Sequence, residues 1–71
     1  MKKGRVHNDI RALRQAAGMT QQDLAKAVGA TRQTVIAIEA GKYAPSLELG
    51  FRIARAFGRD FEAVFHFDPE G

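Results

Sequence analysis

Residues 20–41 read TQQDLAKAVGATRQTVIAIEAG, a run with two helix starts and a glycine between them. Thr20 and Asp23 resemble the capping box that begins many helices, with Asp in place of the usual Glu. Thr31 is a second candidate N-cap, which predicts a helix from Arg32 to about Ala40. Apolar residues recur at helical spacing in both segments, as Leu24, Ala25 and Val28 and then as Val35 and Ile38, with Ile36 a further candidate for the inward face.

The spacing inside this run is typical of a helix-turn-helix whose second helix enters the major groove of DNA. Counted from Gln21, a small residue stands at the fifth position, Ala25, where the second helix crosses closely. Gly29, at the ninth, suits a turn with a positive φ that costs other residues about 1 kcal/mol or more. Val35 and Ile38 lock the second helix onto the first. Spacing alone leaves an ordinary helical hairpin without a ligand as an alternative.

The outward side of the second helix favours the DNA-binding interpretation. Its N-terminal end carries Thr31, Arg32, Gln33 and Thr34, none of them acidic and all able to donate hydrogen bonds. Arg matches guanine O6 and N7, Gln matches adenine N6 and N7, and Thr can contact a thymine methyl. Double-stranded DNA is therefore the predicted partner, with these four residues as candidate base contacts.

Helical spacing continues on both sides of this run, so the sequence predicts an all-α domain of five short helices. The first, fourth and fifth helices are predicted over residues 8–17, 47–57 and 61–65, with Asn8, Ser46 and Asp60 as N-caps or N-terminal residues. Residues 5–7 and 65–67 alternate in a way that allows a short strand at each end. These segments either pair with each other or fray, and periodicity does not choose between the two.

Composition sets further bounds. Seventy-one residues correspond to one domain, and a net charge of +3 modestly suits a polyanion. The chain has no cysteine, which excludes disulfides and thiolate metal sites. No apolar run approaches the roughly 20 residues that cross a bilayer, and the basic start is not followed by an apolar stretch. We therefore expect a cytoplasmic protein with no membrane contact.

The chain resembles the Cro/C1-type (XRE) family of regulators from about residue 8 to residue 65. The similarity rests on the motifs at residues 19–25, 31–35 and 38–47, which read MTQQDLA, TRQTV and IEAGKYAPSL. It implies a five-helix, lambda-repressor-like DNA-binding domain over residues 1–71, with its helix-turn-helix at about residues 20–41. Within the family, the chain most resembles the very short members of the cytolysin-repressor type. Those are homodimers whose terminal segments form a small antiparallel sheet, which supports pairing of residues 5–7 with 65–67.

The same resemblance implies roles for individual residues. Arg32 and Gln33 match the main base-reading positions, and Thr31 and Thr34 lie near bases or backbone. The matches to phosphate-contacting positions are Gln21 at the start of the second helix and Lys42 and Tyr43 in the loop after the third.

Two further family features concern helix packing and the width of base readout. Arg14 matches a first-helix arginine that pairs with the glutamate at Glu39; the alternative is a surface pair worth under about 1 kcal/mol. Ala37 replaces a side chain that sometimes reads bases, and Ala40 stands where an asparagine is frequent. We therefore expect α-helical readout of fewer bases and one contact fewer with the DNA backbone.

Three further arginines, Arg52, Arg55 and Arg59, are interpreted as solvated and not as DNA contacts.

The C-terminal segment is rich in aromatic residues for so thin a core. An interface between two copies would bury Phe61, Phe65 and Phe67, whereas Phe57 and Val64 are expected to complete the core of one copy. Since one recognition helix reads only a few base pairs, a homodimer on a near-palindromic operator is predicted. A repressor is favoured, because so small a dimer acts most simply by occluding a promoter.

Other function classes are less well supported. No phosphate-binding glycine loop and no nucleophile beside a base is present, so the chain is not expected to be an enzyme, and no cofactor or small-molecule ligand is inferred. His7 and His66 would meet if the termini pair, but without an acidic neighbour they make a weak metal site, and none is predicted. The alternative function is an antitoxin or protein-interaction module of the same fold.

Overall fold

Five helices lie between two short strands in the computed structural model, which describes residues 3–71; Met1 and Lys2, part of the basic start of the chain, lie outside the described residues. In chain order the elements are β1 (Arg5–Asn8), α1 (Ile10–Ala16), α2 (Gln21–Val28), α3 (Arg32–Glu39), α4 (Leu47–Ala56), α5 (Phe61–Val64) and β2 (Phe65–Asp68). The predicted five-helix architecture is confirmed. Helices α3, α4 and α5 begin where predicted and end one residue earlier, whereas α1 begins two residues later and ends one residue earlier than predicted.

Side chains at the helix starts explain why α2, α3 and α4 begin where they do. The capping box of α2 is complete: the Thr20 hydroxyl accepts from the Asp23 backbone N–H, and the Asp23 carboxylate accepts from the Thr20 backbone N–H, both at 2.9 Å. Thr31 and Ser46 accept from the third backbone N–H of α3 and α4. Each cap satisfies a backbone donor that has no partner inside its helix.

The start of α1 corrects the sequence-based prediction. Its N-cap is Asp9, and Asn8 belongs to β1. The Asn8 side chain nevertheless serves the helix, because its Oδ1 accepts from the Ile10 backbone N–H at 3.1 Å. Its Nδ2 donates to the Ile38 carbonyl at 3.0 Å, so Asn8 joins the first strand to the end of α3. No local sequence pattern indicates this bond, because its partners are 30 positions apart.

The core is centred on α2, which packs against both α3 and α4, and α4 in turn packs against α5. Leu24, Ala25 and Val64 are fully shielded, and the other members are Ile10, Val28, Val35, Ile38, Ile53, Ala54 and Phe65. The expected role of Val64 in the core of one copy holds, and Phe57 is half-buried against this core. Ile36, a candidate for the inward face, is instead 38% exposed.

The two terminal segments form an antiparallel two-stranded sheet. Val6 pairs with Phe67 and His7 with His66, and each strand is one residue longer than the alternating pattern predicted. The Asp9 backbone N–H continues the pairing by donating to the Val64 carbonyl at 2.9 Å. Pairing of the ends, and not fraying, is therefore the observed outcome.

Among the helices of residues 3–71, none has the length and apolar character needed to span a lipid bilayer.

Candidate nucleic-acid interface

The turn between α2 and α3 sets the position of the candidate recognition helix. Gly29 adopts φ 73°, a left-handed conformation that favours glycine, and ends α2. Ala30 then donates its backbone N–H to the Ala25 carbonyl at 2.9 Å, which draws the chain back across α2. Ala25 is fully buried at this crossing, so the small side chain that the spacing required has the expected place.

A polar network beneath α3 joins three helices at one carboxylate. Arg14 of α1 donates from Nε to Glu39 Oε2 at 2.7 Å and from Nη2 to Oε1 at 3.2 Å. Gln21 of α2 donates from Nε2 to the same Oε1 at 3.3 Å. The remaining Arg14 nitrogen, Nη1, donates to the Met19 carbonyl at 3.0 Å. We call these four residues the Glu39 network.

Burial distinguishes this ion pair from a solvated surface pair. The side chains of Arg14 and Glu39 are 11% and 6% exposed. Their hydrogen bonds, followed by Coulomb attraction, raise the pKa of Arg14 above its ordinary value despite the opposing effect of burial. The fork-to-carboxylate geometry holds the end of α3 against α1.

The threonines at the start of α3 bond mainly to each other. Thr31 Oγ1 accepts from the Thr34 backbone N–H at 3.1 Å and lies 3.0 Å from Thr34 Oγ1. Thr34 is also half-buried. Both hydroxyls therefore hold the helix start, and each has part of its hydrogen-bonding capacity left for a ligand.

Arg32 and Gln33 present the free polar groups of α3. Both side chains are exposed, and within residues 3–71 neither makes a hydrogen bond or ion pair. They follow directly after the Thr31 cap, so the buried side of the helix fixes their backbone while their tips remain available. This combination suits hydrogen bonding to an external partner.

A surface groove beside α3 contains two polar residues that the sequence interpretation missed. Arg11 and Gln22 line it together with Gln21, Arg32 and Ile36. Arg11 lies one turn before Arg14 on α1, and that i, i+3 spacing was the available signal for a shared face. Three arginine side chains therefore line the groove, Arg11, Arg14 and Arg32, of which Arg14 is paired with Glu39.

The loop after α3 carries the other two predicted phosphate contacts. Gly41 turns the chain with φ 75°, and the Lys42 backbone N–H closes the turn on the Ala37 carbonyl at 3.0 Å. The Lys42 side chain is exposed, and Tyr43 is 50% exposed. Both lie where the chain leaves α3, with no intramolecular side-chain hydrogen bond in the described part of the chain.

The three arginines interpreted as solvated lie in or just after α4. Arg52 pairs with Glu48 one turn earlier at 2.6 Å, with both side chains more than half exposed. It also lies over the α2 end, 3.5 Å from the position that a Cβ would take at Gly29. Arg55 and Arg59 are exposed. These positions agree with a solvated role.

The histidines meet across the sheet, and the expectation that they lack acidic neighbours is wrong. His7 and His66 are cross-strand partners. His66 Nε2 lies 2.7 Å from an Asp9 carboxylate oxygen, and His7 Nε2 lies 3.9 Å from one of Asp68. Still, no group of three or more His, Asp or Glu side chains in residues 3–71 is arranged to hold a metal ion.

The three aromatic residues assigned to a dimer interface occupy different environments. Phe65 is 5% exposed and belongs to the core of one copy, so its assignment to the interface is corrected. Phe61 is half-buried between Phe65 and Phe51, at ring-centroid distances of 4.8 and 4.9 Å. Gly50 makes room for this ring, since a Cβ there would lie 2.8 Å from it. Phe67 is 65% exposed and remains available for an interface.

Comparisons with known proteins agree with this geometry. A helix-turn-helix family model matches residues 10–64. An uncharacterized HTH-type transcriptional regulator of Methanothermobacter thermautotrophicus is 54% identical over 63 residues, which cover 87% of this chain and 91% of the relative. The uncharacterized HTH-type transcriptional regulator YgzD of Bacillus subtilis is 46% identical over 65 residues, 92% of this chain and 98% of the relative.

A solved structure shows the same fold at lower sequence similarity. The transcriptional regulator VanUg matches with a TM-score of 0.77 and 22% identity, over 99% of this chain and 93% of that one. The fold is therefore shared with a protein of quite different sequence.

Proposed function

We propose, from its membership of the Cro/C1-type (XRE) helix-turn-helix family of DNA-binding transcriptional regulators, that this chain is a repressor acting as a homodimer on a near-palindromic operator. The observation that carries the proposal is the contrast within α3. Its C-terminal end is fixed by the Glu39 network, whereas Arg32 and Gln33 at its N-terminal end are exposed and unpaired within residues 3–71. A rigid helix with free hydrogen-bonding tips is what major-groove reading requires.

Base recognition is assigned mainly to the first turn of α3. Arg32 pairs with guanine O6 and N7, and Gln33 pairs with adenine N6 and N7. Thr31 and Thr34, whose hydroxyls already bond to each other, lie near bases or backbone and contribute less to sequence choice.

Phosphate contacts are assigned to residues on either side of α3. Lys42 and Tyr43 contact the backbone from the loop, and Gln21 does so from the start of α2, where backbone N–H groups favour an anion. Gln21 donates one amide hydrogen to Glu39, so its second one is available for the phosphate.

Two copies are needed because one recognition helix reads too few base pairs to select an operator in a genome. A two-fold dimer places two such helices about 34 Å apart, one turn of DNA. The seam assigned here consists of the exposed parts of Phe61 and Phe67 together with Val6, which is 44% exposed and pairs with Phe67 across the sheet. Burying these apolar side chains against a second copy stabilises the dimer.

Repression is the simplest action for a dimer of two such helix-turn-helix domains, because binding at an operator within a promoter blocks access of polymerase. The proposed site of action is the cytoplasm.

The first experiment is selection of binding sites from a random DNA pool at about physiological salt. We expect a near-palindrome with half-sites about one helical turn apart. Recovery of no preferred sequence would contradict operator binding and favour the antitoxin or adaptor interpretation, which co-purification of a small protein partner would then support.

Two substitutions separate reading from phosphate binding on the selected site. Arg32→Ala is expected to cost about 1–3 kcal/mol and to relax specificity at one base step. Lys42→Ala is expected to weaken binding to all sequences and to lower the salt slope by about one. Lys26→Ala, an exposed α2 lysine on the side of Arg52, is the matched control and should leave the slope unchanged.

The dimer seam is tested by sedimentation of Phe67→Glu, which places a charge in an apolar interface. We expect monomers with unchanged helix content, since Phe67 is largely exposed in one copy. Leu47→Glu, at a similarly exposed α4 position, is the control and should remain dimeric. A Phe67→Glu protein that still sediments as a dimer would exclude this seam.

A further inference from the structure

Ile36 is a large apolar side chain left on the outer surface of α3. It is 38% exposed, whereas Val35 and Ile38 on the inner side of the same helix are 2% and 1% exposed. Leaving more than a third of an isoleucine exposed forgoes part of its hydrophobic stabilisation. A single exposed apolar residue is ordinary on a protein surface, so its position on the helix must carry the argument.

That position is one helical turn after Arg32. Residues four apart lie on the same face of a helix, and Arg32 and Ile36 line the same groove beside α3. The outer face of α3 therefore presents a cation followed, one turn deeper, by a branched apolar group.

The residues that follow Ile36 toward the surface of α3 are small. Ala37 is half-buried and Ala40 is exposed, and both extend little beyond the backbone, so neither keeps the middle of α3 away from a ligand that approaches it. Ile36 is thus the apolar side chain that projects furthest from the part of the helix that would lie against DNA.

We propose that Ile36 is a specificity-determining residue that packs against the C5 methyl of a thymine in each half-site. This inference rests on the proposed function, because it assumes that α3 lies in the major groove. The thymine methyl is the one apolar group that the bases display there, and apolar side chains recognise it by contact. Cytosine offers an amino group at the neighbouring C4 position, which would lose water against Ile36 without gaining a partner.

This assignment also changes the expected width of readout. Ala37 suggested that base recognition stops after the first turn of α3. With Ile36 in contact with a methyl group, recognition extends into the second turn by packing and not by hydrogen bonding.

The test replaces each thymine of the selected operator in turn by deoxyuridine, which removes only the methyl group. At one thymine per half-site, wild-type protein should bind about three- to tenfold more weakly to the deoxyuridine operator. Ile36→Ala should bind the thymine operator more weakly by a similar factor and should show no further loss with deoxyuridine. Ile36→Val keeps a branched side chain and should retain part of the sensitivity.

Three outcomes are distinguishable. Coupled losses, in which the substitution and the missing methyl do not add, support the inference. An operator that binds tightly and is indifferent to every thymine methyl, or equal sensitivity in wild type and Ile36→Ala, would overturn this inference alone. Absence of any preferred sequence for the wild-type protein would overturn the proposed function and this inference with it. Unchanged thermal unfolding midpoints of the variants within a few degrees show that folding is not the cause.

Discussion

The polar groups beneath α3 and those on the terminal sheet join distant parts of the chain in different ways. Arg14 and Glu39 are about nine-tenths buried, and their carboxylate collects donors from two other helices. The two His–Asp pairs of the sheet, His7–Asp68 and His66–Asp9, have side chains 46–58% exposed. One region relies on shielded charge-assisted hydrogen bonds, and the other on backbone pairing with solvated side chains.

The difference indicates which part of the fold must be rigid. The Glu39 network fixes the end of α3 relative to α1 and α2. The orientation of α3, and with it the position of the exposed residues in its first turn, is therefore defined. The sheet fixes the chain ends through main-chain hydrogen bonds, and solvent weakens what its side-chain pairs add. Substitutions should therefore be far more costly in the network than in the sheet.

The largest effect is expected for Glu39→Gln. The substitution keeps the size of the side chain but leaves the shielded Arg14 guanidinium facing an uncharged amide, which we expect to cost about 2–4 kcal/mol of unfolding free energy. Urea unfolding measures the loss, and weaker operator binding should accompany it because α3 is no longer held.

Glu48→Gln is the matched control for that experiment. Glu48 also pairs with an arginine, Arg52, at the similarly short distance of 2.6 Å, but the two side chains are 74% and 56% exposed. The expected loss is below about 0.5 kcal/mol. Equal losses of unfolding free energy for Glu39→Gln and Glu48→Gln would contradict the prediction that burial makes the Arg14–Glu39 pair the more stabilising one.

A smaller effect is expected for Thr31→Ala, which removes the N-cap of α3. Loss of a side-chain cap costs about 1 kcal/mol, and Thr31→Ser should recover most of it because serine keeps the hydroxyl. Asp60→Ala is the comparison at α5, where the N-cap side chain makes no hydrogen bond, and should cost less. Denaturant midpoints of the three variants decide the order.

Local chemistry explains why so much of the fold could be predicted from the sequence. The caps at Thr20, Thr31 and Ser46, the turn at Gly29 and the inward apolar positions depend on residues within one or two turns of each other. The structure has each of these features where its local signal lies.

Apart from the N-cap of α1 and the groove residues Arg11 and Gln22, the failures concern long-range surroundings. Whether Ile36 or Phe65 is covered depends on which element packs above it, and periodicity does not contain that information. The Asn8 bond to Ile38 spans 30 positions, and the His–Asp pairs depend on the sheet register. The pairing of Arg14 with Glu39 came from the family resemblance and not from the spacing of the two residues.

Asp9→Asn tests the sheet side of the comparison. Its carboxylate lies 2.7 Å from His66 Nε2, yet both side chains are about half exposed. We expect the free energy of unfolding to fall by less than about 1 kcal/mol at neutral pH. The free energy of unfolding of the variant should change little when salt is raised. A loss of stability as large as that of Glu39→Gln would show that the ion pairs of the terminal sheet contribute as much to stability as the Glu39 network.

The smallest effect concerns the pH dependence of the α2 capping box. The pKa of Asp23 is lowered mainly by the hydrogen bond from the Thr20 backbone N–H, then by Thr20's side chain, with a minor contribution from Lys26. Because the folded pKa lies below the unfolded value of about 3.9, the stabilisation is fully present above that value. It is lost as the pH falls through the folded pKa, when protonation weakens the carboxylate as an acceptor.

The advantage of wild type over Asp23→Asn in urea midpoint should therefore be larger at pH 7 than at pH 3. Thr20→Ser, which keeps the backbone donor and a hydroxyl, should follow wild type at both pH values. An advantage that is constant across this range, or one that grows toward acid, would mean that the ionised form of Asp23 contributes nothing to the cap.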